Sequence, residues 1–400
     1  MKPTNICFVT REYAHPKIGK TGGIGVFLKQ FTQALKQQGF HVTVFTFGKE
    51  SSDFMDHGVR IYKVNDLTSF SNWIKTPFLK FNLPGYISLK RILEYSNRKH
   101  ISYKLTKFLK SNAFDIVEFH DYGGDAPFVT TNIPTVVRCH GTAVTLHEFM
   151  GYPLRLQDAK YERLFFKRNN AHVVAVSEYS AKTTQQAFGL ENIPKVIYNG
   201  VQLPTEKQTN RYLDAPTIPY SIWYFGSVRE RKGIDIACKV FNEVLEHYPK
   251  ATFHVLGNNN NNHWNTVCTK LLTPQALLKT TYYGSIPNEA VHSYLRQAHI
   301  VLFPTYGENF SIALMEVMAL GKLAITSQIP AFKEIIAHQN NGFMVTKDLD
   351  YLKWIIWTFQ HPDALETLSR NALQTVKDRF NMDIIIKENI EFYTSVITHE

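Results

Sequence analysis

The stretch Glu308-Asn309-Phe310-Ser311-Ile312-Ala313-Leu314-Met315-Glu316 carries the most chemistry in the chain. Asn309 or Ser311 suits a helix N-cap, because a short polar side chain there accepts a backbone N–H that has no helical partner. The helix that follows is apolar nearly all round, which places it in a core, and Glu316 is its only charge. A buried carboxylate without a partner is costly, so Glu316 calls for a polar ligand or a cation. Glu308 stands just before the helix, where a carboxylate and helix-end N–H groups can together hold an anionic ligand rich in hydroxyls. The plainer reading is a capping Glu308 and a salt-bridged core Glu316.

Three further segments suit the same kind of ligand. Arg229-Glu230-Arg231-Lys232-Gly233 gathers three cations just after a strand; Lys232 would meet an anion as a point charge and Arg229 as a fork. Thr21-Gly22-Gly23-Ile24-Gly25 lies between the first strand and the first helix. Gly22 and Gly23 allow close backbone approach, and the helix start favours a phosphate. The spacing is not G-x-G-x-x-G, and no acid follows the second strand, which counts against a dinucleotide cofactor. His140, in Arg138-Cys139-His140-Gly141-Thr142, ends another strand. A lone histidine there is more often structural, although the adjacent Gly141 leaves room for a ligand. Each segment also has a bland reading: a basic loop, a tight turn and a core histidine.

These residues need elements to position them. Strand-like runs at 5–10, 41–47, 114–119, 135–138, 172–176 and 195–198 alternate with helical stretches, the first at 25–38. The alternation pauses at 201–220, which carries three prolines, and restarts with strands at 221–225, 251–256, 280–283, 300–303 and 323–326. The expected architecture is α/β, with two doubly wound domains whose parallel sheets are covered on both faces. The expected divisions are 1–205, 206–380 and a last helix in 381–400. Ligands in such sheets bind at the carboxyl ends of the strands.

Composition sets limits. The chain has 400 residues, 44% hydrophobic and 20% charged, which suits two soluble domains. The first apolar run is short and reads as a strand, no run is long enough to span a membrane, and the four cysteines are scattered; a cytoplasmic protein is the expectation. The net charge of +10 is partly local. Residues 73–110 hold nine cations (Lys75, Lys80, Lys90, Arg91, Arg98, Lys99, Lys104, Lys107 and Lys110) against Glu94 alone, interleaved with aromatics including Trp73, Phe81, Tyr95 and Tyr103. That mixture suits an anionic membrane surface. It also fits a solvated helix with aromatics turned inward, or nucleic acid, although nucleic-acid binding explains neither Glu316 nor the glycine loop.

The 308–316 segment resembles the E-x7-E motif of the retaining glycosyltransferase family 4, of the GT-B fold. Segments 21–25, 138–142, 177–178, 199–201, 226–233 and 321–334 are similar to family segments in the same order. The resemblance implies two Rossmann-like domains facing a central cleft, with the final helix crossing back to the first. It implies that Gly22 and Gly23 approach the donor diphosphate or the acceptor, and that Lys232 binds the diphosphate. Glu308 then holds hydroxyls of the transferred sugar, supported by the amides of Asn309, Phe310 and Ser311. Glu316 binds the ribose, and His140 lies beside the sugar. The chain departs from the family at Ser227, where an arginine is common; Arg229 is the expected substitute. The implied reaction is metal-independent hexosyl transfer with retention, from a nucleotide sugar to a glycan or lipid-linked acceptor, at or near the inner membrane face, in cell-surface polysaccharide or glycoconjugate assembly. No cofactor is expected, and Asp348-Leu349-Asp350 reads as a helix start rather than a metal site. A nucleotide-sugar epimerase and a non-catalytic binding relative remain as alternatives.

Overall fold

Fourteen strands fall into two sheets in this computed structural model, which describes residues 3–19, 22–80, 84–168, 171–204 and 217–398. Thr21 and Phe81, and residues 205–216 of the expected linker, lie outside the described residues. The chain divides into two units, 1–199 with 382–400, and 200–381, against the 205/206 and 380/381 divisions expected from sequence.

The first domain carries β1 (Asn5–Val9), β2 (His41–Gly48), β3 (Ser52–Asp56), β4 (Val59–Asn65), β5 (Ile116–His120), β6 (Thr135–Cys139), β7 (His172–Ala175) and β8 (Lys195–Val196). They lie side by side as β3-β4-β2-β1-β5-β6-β7-β8. Every pair is parallel except β3–β4. The sequence reading found neither strand of this edge hairpin. Its signal is brief: a two-residue turn at His57 and Gly58, both with positive φ. From Ser52 to Met55, β3 alternates half-buried and exposed side chains, and its exposed Asp53 is the sort of charge that guards a sheet edge, whereas Asp56 is buried and accepts the Tyr13 hydroxyl at 3.0 Å.

Helices α1 (Gly23–Gln37), α2 (Thr68–Lys80), α3 (Tyr86–Lys110), α4 (Ala143–Met150), α5 (Leu156–Arg168) and α6 (Glu178–Phe188) complete this domain, with the last helix of the chain, Met382–Thr398. That last helix is held by a fully buried cluster. Arg138, at the end of β6, grips Glu118 of β5 through Nε (2.7 Å) and Nη2 (3.1 Å). Asn389 of the helix contacts the same guanidinium, and Tyr393 donates to Glu118 at 2.6 Å. A buried charge pair of this kind is specific because each partner left alone would be expensive.

The second domain orders its strands β11-β10-β9-β12-β13-β14, all parallel: β9 (Ser221–Phe225), β10 (Thr252–Leu256), β11 (Thr280–Gly284), β12 (Ile300–Phe303), β13 (Leu323–Ser327) and β14 (Phe343–Val345). Its core joins β9, β10, β12 and β13 to the helix Ile234–His247, whose apolar face supplies Ile234, Ala237, Phe241 and Val244. In both sheets the strand order reverses beside the first strand, between β1 and β5 and between β9 and β12. Those are the switch points where open α/β sheets take ligands.

Candidate active site

At the second switch point, the loop after β9 and the loop after β12 are stitched together. Thr305 Oγ1 and the Tyr306 N–H both donate to the Arg231 carbonyl, each at 3.0 Å. Gly233 makes the approach possible. Its φ is +71°, and a Cβ there would lie 1.8 Å from the Pro304 carbonyl oxygen. The turn Glu230–Lys232 thereby presents Lys232 to Glu308, and the two side chains form an ion pair. Burial, then Arg231, then Arg229, push the Lys232 ammonium well below its ordinary range. The Glu308 carboxylate in contact with it opposes that push. Arg231 was not among the residues singled out as site groups, yet it acts on Lys232 more strongly than Arg229 does.

A recess of about 290 Å³, open water included, is lined by Gly226, Lys232, Thr305, Glu308, Ser311 and Phe332 among others. Of the two N-cap candidates, Ser311 serves: its Oγ accepts the Leu314 N–H at 3.3 Å. Asn309 is buried, and the Phe310 ring packs edge-on against Phe380. The helix Ile312–Ala319 is buried as its composition required, and Glu316 within it is 8% exposed. No described residue bonds or pairs with its carboxylate, so the salt-bridged alternative is excluded among the described residues. Burial alone lifts its carboxyl to about 7. Ser227, at the position where the family often has arginine, accepts the Tyr224 hydroxyl on its carbonyl at 2.9 Å.

In the first domain, Gly22 caps α1 and its N–H donates to Glu12 Oε2 at 2.8 Å. A carboxylate of the chain itself thus takes the Gly22 N–H at this helix start. Gly23 opens the helix and is exposed. His140 follows β6, with its ring against His120 (centroids 4.7 Å apart) and Phe27 (6.0 Å). Its backbone N–H donates to Asp121 at 3.0 Å, while its Nε2 is buried without a partner among the described residues. Burial, then His120, then Arg138, keep His140 neutral by lowering its pKa well below the usual value. His120 and Asp121 were not singled out from the sequence; a histidine and an aspartate at the end of a strand carry no motif of their own.

The basic segment divides. Arg98 is buried and donates to the carbonyls of Gly123 (3.1 Å) and Gly124 (3.2 Å) and to Asp158 (2.9 Å). Phe108 is buried, whereas Trp73 is 73% exposed and Tyr103 65%. The inward-facing alternative thus holds for only part of the segment. Asp348 and Asp350 begin the helix Asp348–Gln360, and Asp350 accepts the Lys347 N–H. Among the described residues, no group of three or more His, Cys, Asp or Glu side chains is arranged to hold a metal ion.

Comparisons with known proteins agree with this fold. Residues 21–203 match the family model described as Glycosyltransferase Family 4, and residues 207–374 match Glycosyl transferases group 1. An uncharacterized glycosyltransferase of Methanocaldococcus jannaschii is 23% identical over 97% of both chains. A phosphatidyl-myo-inositol mannosyltransferase of Mycobacterium tuberculosis is 23% identical over 61% of this chain and 63% of its own. Among solved structures, Anabaena HepE in complex with UDP and glucose superposes with a TM-score of 0.70 at 17% identity, covering 98% of this chain and 99% of the other.

Proposed function

We propose, for a chain that belongs to glycosyltransferase family 4 and has its GT-B fold, that it moves a hexosyl unit from a nucleotide sugar to a glycan or lipid-linked acceptor with retention at the anomeric carbon. The observation that carries the reading is the second switch point. There a lysine and a glutamate meet at the strand ends, with two further cations beside them and a buried Glu316, unpartnered among the described residues, on the adjoining helix. In this reading Lys232, with Arg229 and Arg231, takes the donor diphosphate. Glu308 then turns to hydroxyls of the sugar, assisted by the backbone at Asn309, Phe310 and Ser311, and Glu316 accepts from the ribose. The first domain contributes His140 beside the sugar and Gly22 and Gly23 near phosphate or acceptor.

The bond from the anomeric carbon to the diphosphate breaks as the acceptor oxygen bonds to the same face. The acceptor proton passes to the departing diphosphate oxygen. Lys232 stabilises the charge that builds on that oxygen, which is where fixed electrostatics lower a barrier most. No metal and no protein nucleophile is assigned a step. A thermal-shift screen against UDP, GDP, ADP and their sugar conjugates tests the donor assignment. A nucleotide that stabilises the wild type and not Glu316→Ala supports it and names the base; no shift with any nucleotide removes it. Product analysis without acceptor separates transfer from epimerisation.

The acceptor side is read from α2 and α3. Phe70, Trp73, Ile87, Ile92, Tyr95 and Tyr103 are exposed there, among exposed Lys80, Lys90, Arg91, Lys99 and Lys107. Aromatic and aliphatic side chains beside cations suit an anionic leaflet, so this surface seats the enzyme against a membrane at its inner, cytoplasmic face in polysaccharide or glycoconjugate assembly. A relative named for a phosphatidyl-inositol acceptor supports that placement. No described helix is long and apolar enough to cross a membrane. Phosphatidylglycerol vesicles should pull the protein down and blue-shift Trp73 fluorescence, while phosphatidylcholine vesicles should not. Equal binding to both, or retention by DNA alone, contradicts the assignment.

A further inference from the structure

His140 stands on a loop whose backbone donors are taken up by buried carboxylates. Asp121, the residue after β5, accepts the His140 N–H on Oδ1 and the Gly141 N–H on Oδ2, both at 3.0 Å. Glu162, from the middle of α5, accepts the Ala143 N–H (3.0 Å) and Gly123 N–H (2.8 Å) on Oε1 and the Val144 N–H (3.2 Å) on Oε2. Between them Thr142 and Thr145 close a capping box at the start of α4. Asp121 is 1% exposed and Glu162 0%. Neither makes an ion pair with a described residue, and burial raises both carboxyl groups, Asp121 to about 7.

Two buried acids without a cation are an expensive way to hold a loop. The chemistry explains the choice. Each carboxylate meets two or three N–H donors and so must be acceptor-only; an asparagine or glutamine would turn an NH2 group against one of them. With the donors of this loop satisfied internally, its helix start is closed to a ligand anion, and what it presents is the His140 ring. That ring is wedged by His120 and Phe27, with Nε2 unpartnered among the described residues.

We propose that Asp121 and Glu162 are positioning residues, which fix the His140 backbone from two separate elements so that its imidazole is already placed when the sugar arrives. This rests on the glycosyltransferase reading above. Fixing a group within a fraction of an ångström of its working position is worth about two orders of magnitude in rate. Asp121→Asn displaces one of the two amides and the ring with it. Glu162→Gln does the same one step further along the loop, with a smaller effect.

The test is a double-mutant cycle read by turnover of UDP-glucose, UDP-N-acetylglucosamine and GDP-mannose. Asp121→Asn should lower kcat about 100-fold with the donor KM within about twofold. In a His140→Ala background the same change should cost less than about threefold, because the group it positions is gone. Losses that multiply in the double variant would overturn the proposal, since a residue needed only for the fold does not act through His140. Amide hydrogen exchange of the wild type gives a reading that needs neither substrate nor variant. The His140, Gly141, Ala143 and Val144 amides should be protected, and rapid exchange at them also overturns it. If the wild type turns over none of these donors while those amides stay protected, it is the donor reading that fails and not the clamp.

Discussion

The two domains repeat one sheet logic but hold their strand-end groups in opposite ways. In the first, Asp121 and Glu162 bond to main-chain N–H groups, so the His140 loop is set by the fold. In the second, the contact at the switch point joins two flexible side chains, Lys232 and Glu308, and Glu316 is left with no partner among the described residues. A main-chain clamp has one arrangement. A side-chain pair can exchange partners, each half finding a better one in a ligand that brings both a diphosphate and hydroxyls. On the proposed reading the first site is therefore built before the substrate arrives, whereas the second is completed by it. This contrast explains why a burial cost is carried in both places and is offset in only one of them by the protein alone.

The largest effect should come from breaking the exchangeable pair. On the proposed reading Lys232→Ala removes the charge that meets the diphosphate, and turnover should fall about 10²–10³-fold, the usual loss when one preorganised electrostatic contact to a leaving group is deleted. Glu308→Gln keeps the shape and loses the charge, so it should weaken sugar recognition and leave nucleotide stabilisation in place. Equal loss of nucleotide binding in both variants, measured by thermal shift with and without the sugar moiety, would show that the two residues do not divide the donor between them.

Next in size is the cost of the unpartnered acid. Burial raises Glu316 from 4.5 to about 7. The folded state thus holds a proton that the unfolded chain has already lost, so stability falls as pH rises from about 4.5 to about 7 and is level above that. At about 1.4 kcal/mol per pH unit the loss is about 3 kcal/mol. Glu316→Gln should recover most of it at pH 8, raising Tm, while abolishing stabilisation by nucleotide. Urea unfolding at pH 5 and pH 8 reads the difference, and a residual slope from Asp121 should remain in the variant because its carboxyl also titrates near 7. Unchanged stability at pH 8 would mean that Glu316 already has a satisfactory partner.

How much of this was legible in the sequence depended on the range of the cause. The alternation of strands and helices was readable because each element is a local periodicity, and Glu316 was readable as a lone charge in an apolar helix. The β3–β4 hairpin was missed because two short strands joined by His57-Gly58 offer a weak periodic signal. The Lys232–Glu308 pair spans 76 residues, and both partners were named without the contact. Arg98 was counted among surface cations although Gly123, Gly124 and Asp158 hold it in the interior. Asp121 and Glu162 carried no signal at all. Their partners are backbone amides, 19 and 20 residues away for Asp121 and 18 to 39 for Glu162, and a backbone amide has no letter in the sequence.

The smallest expected effect sharpens the comparison from the other side. Ser311 caps the Glu316 helix with one side-chain oxygen, while α4 is held by a capping box and a carboxylate together. Ser311→Ala should therefore cost about 1 kcal/mol, the ordinary value of a lost N-cap. Thr142→Ala should cost no more than that, since Glu162 still satisfies the Ala143 and Val144 amides beside it. If the clamp view is right, Ser311→Ala loosens the helix that carries Glu316 and weakens nucleotide stabilisation, whereas Thr142→Ala leaves His140 where it is and turnover within about twofold. A larger loss of turnover from Thr142→Ala than from Ser311→Ala would reverse the assignment of which site is fixed and which is completed by its ligand.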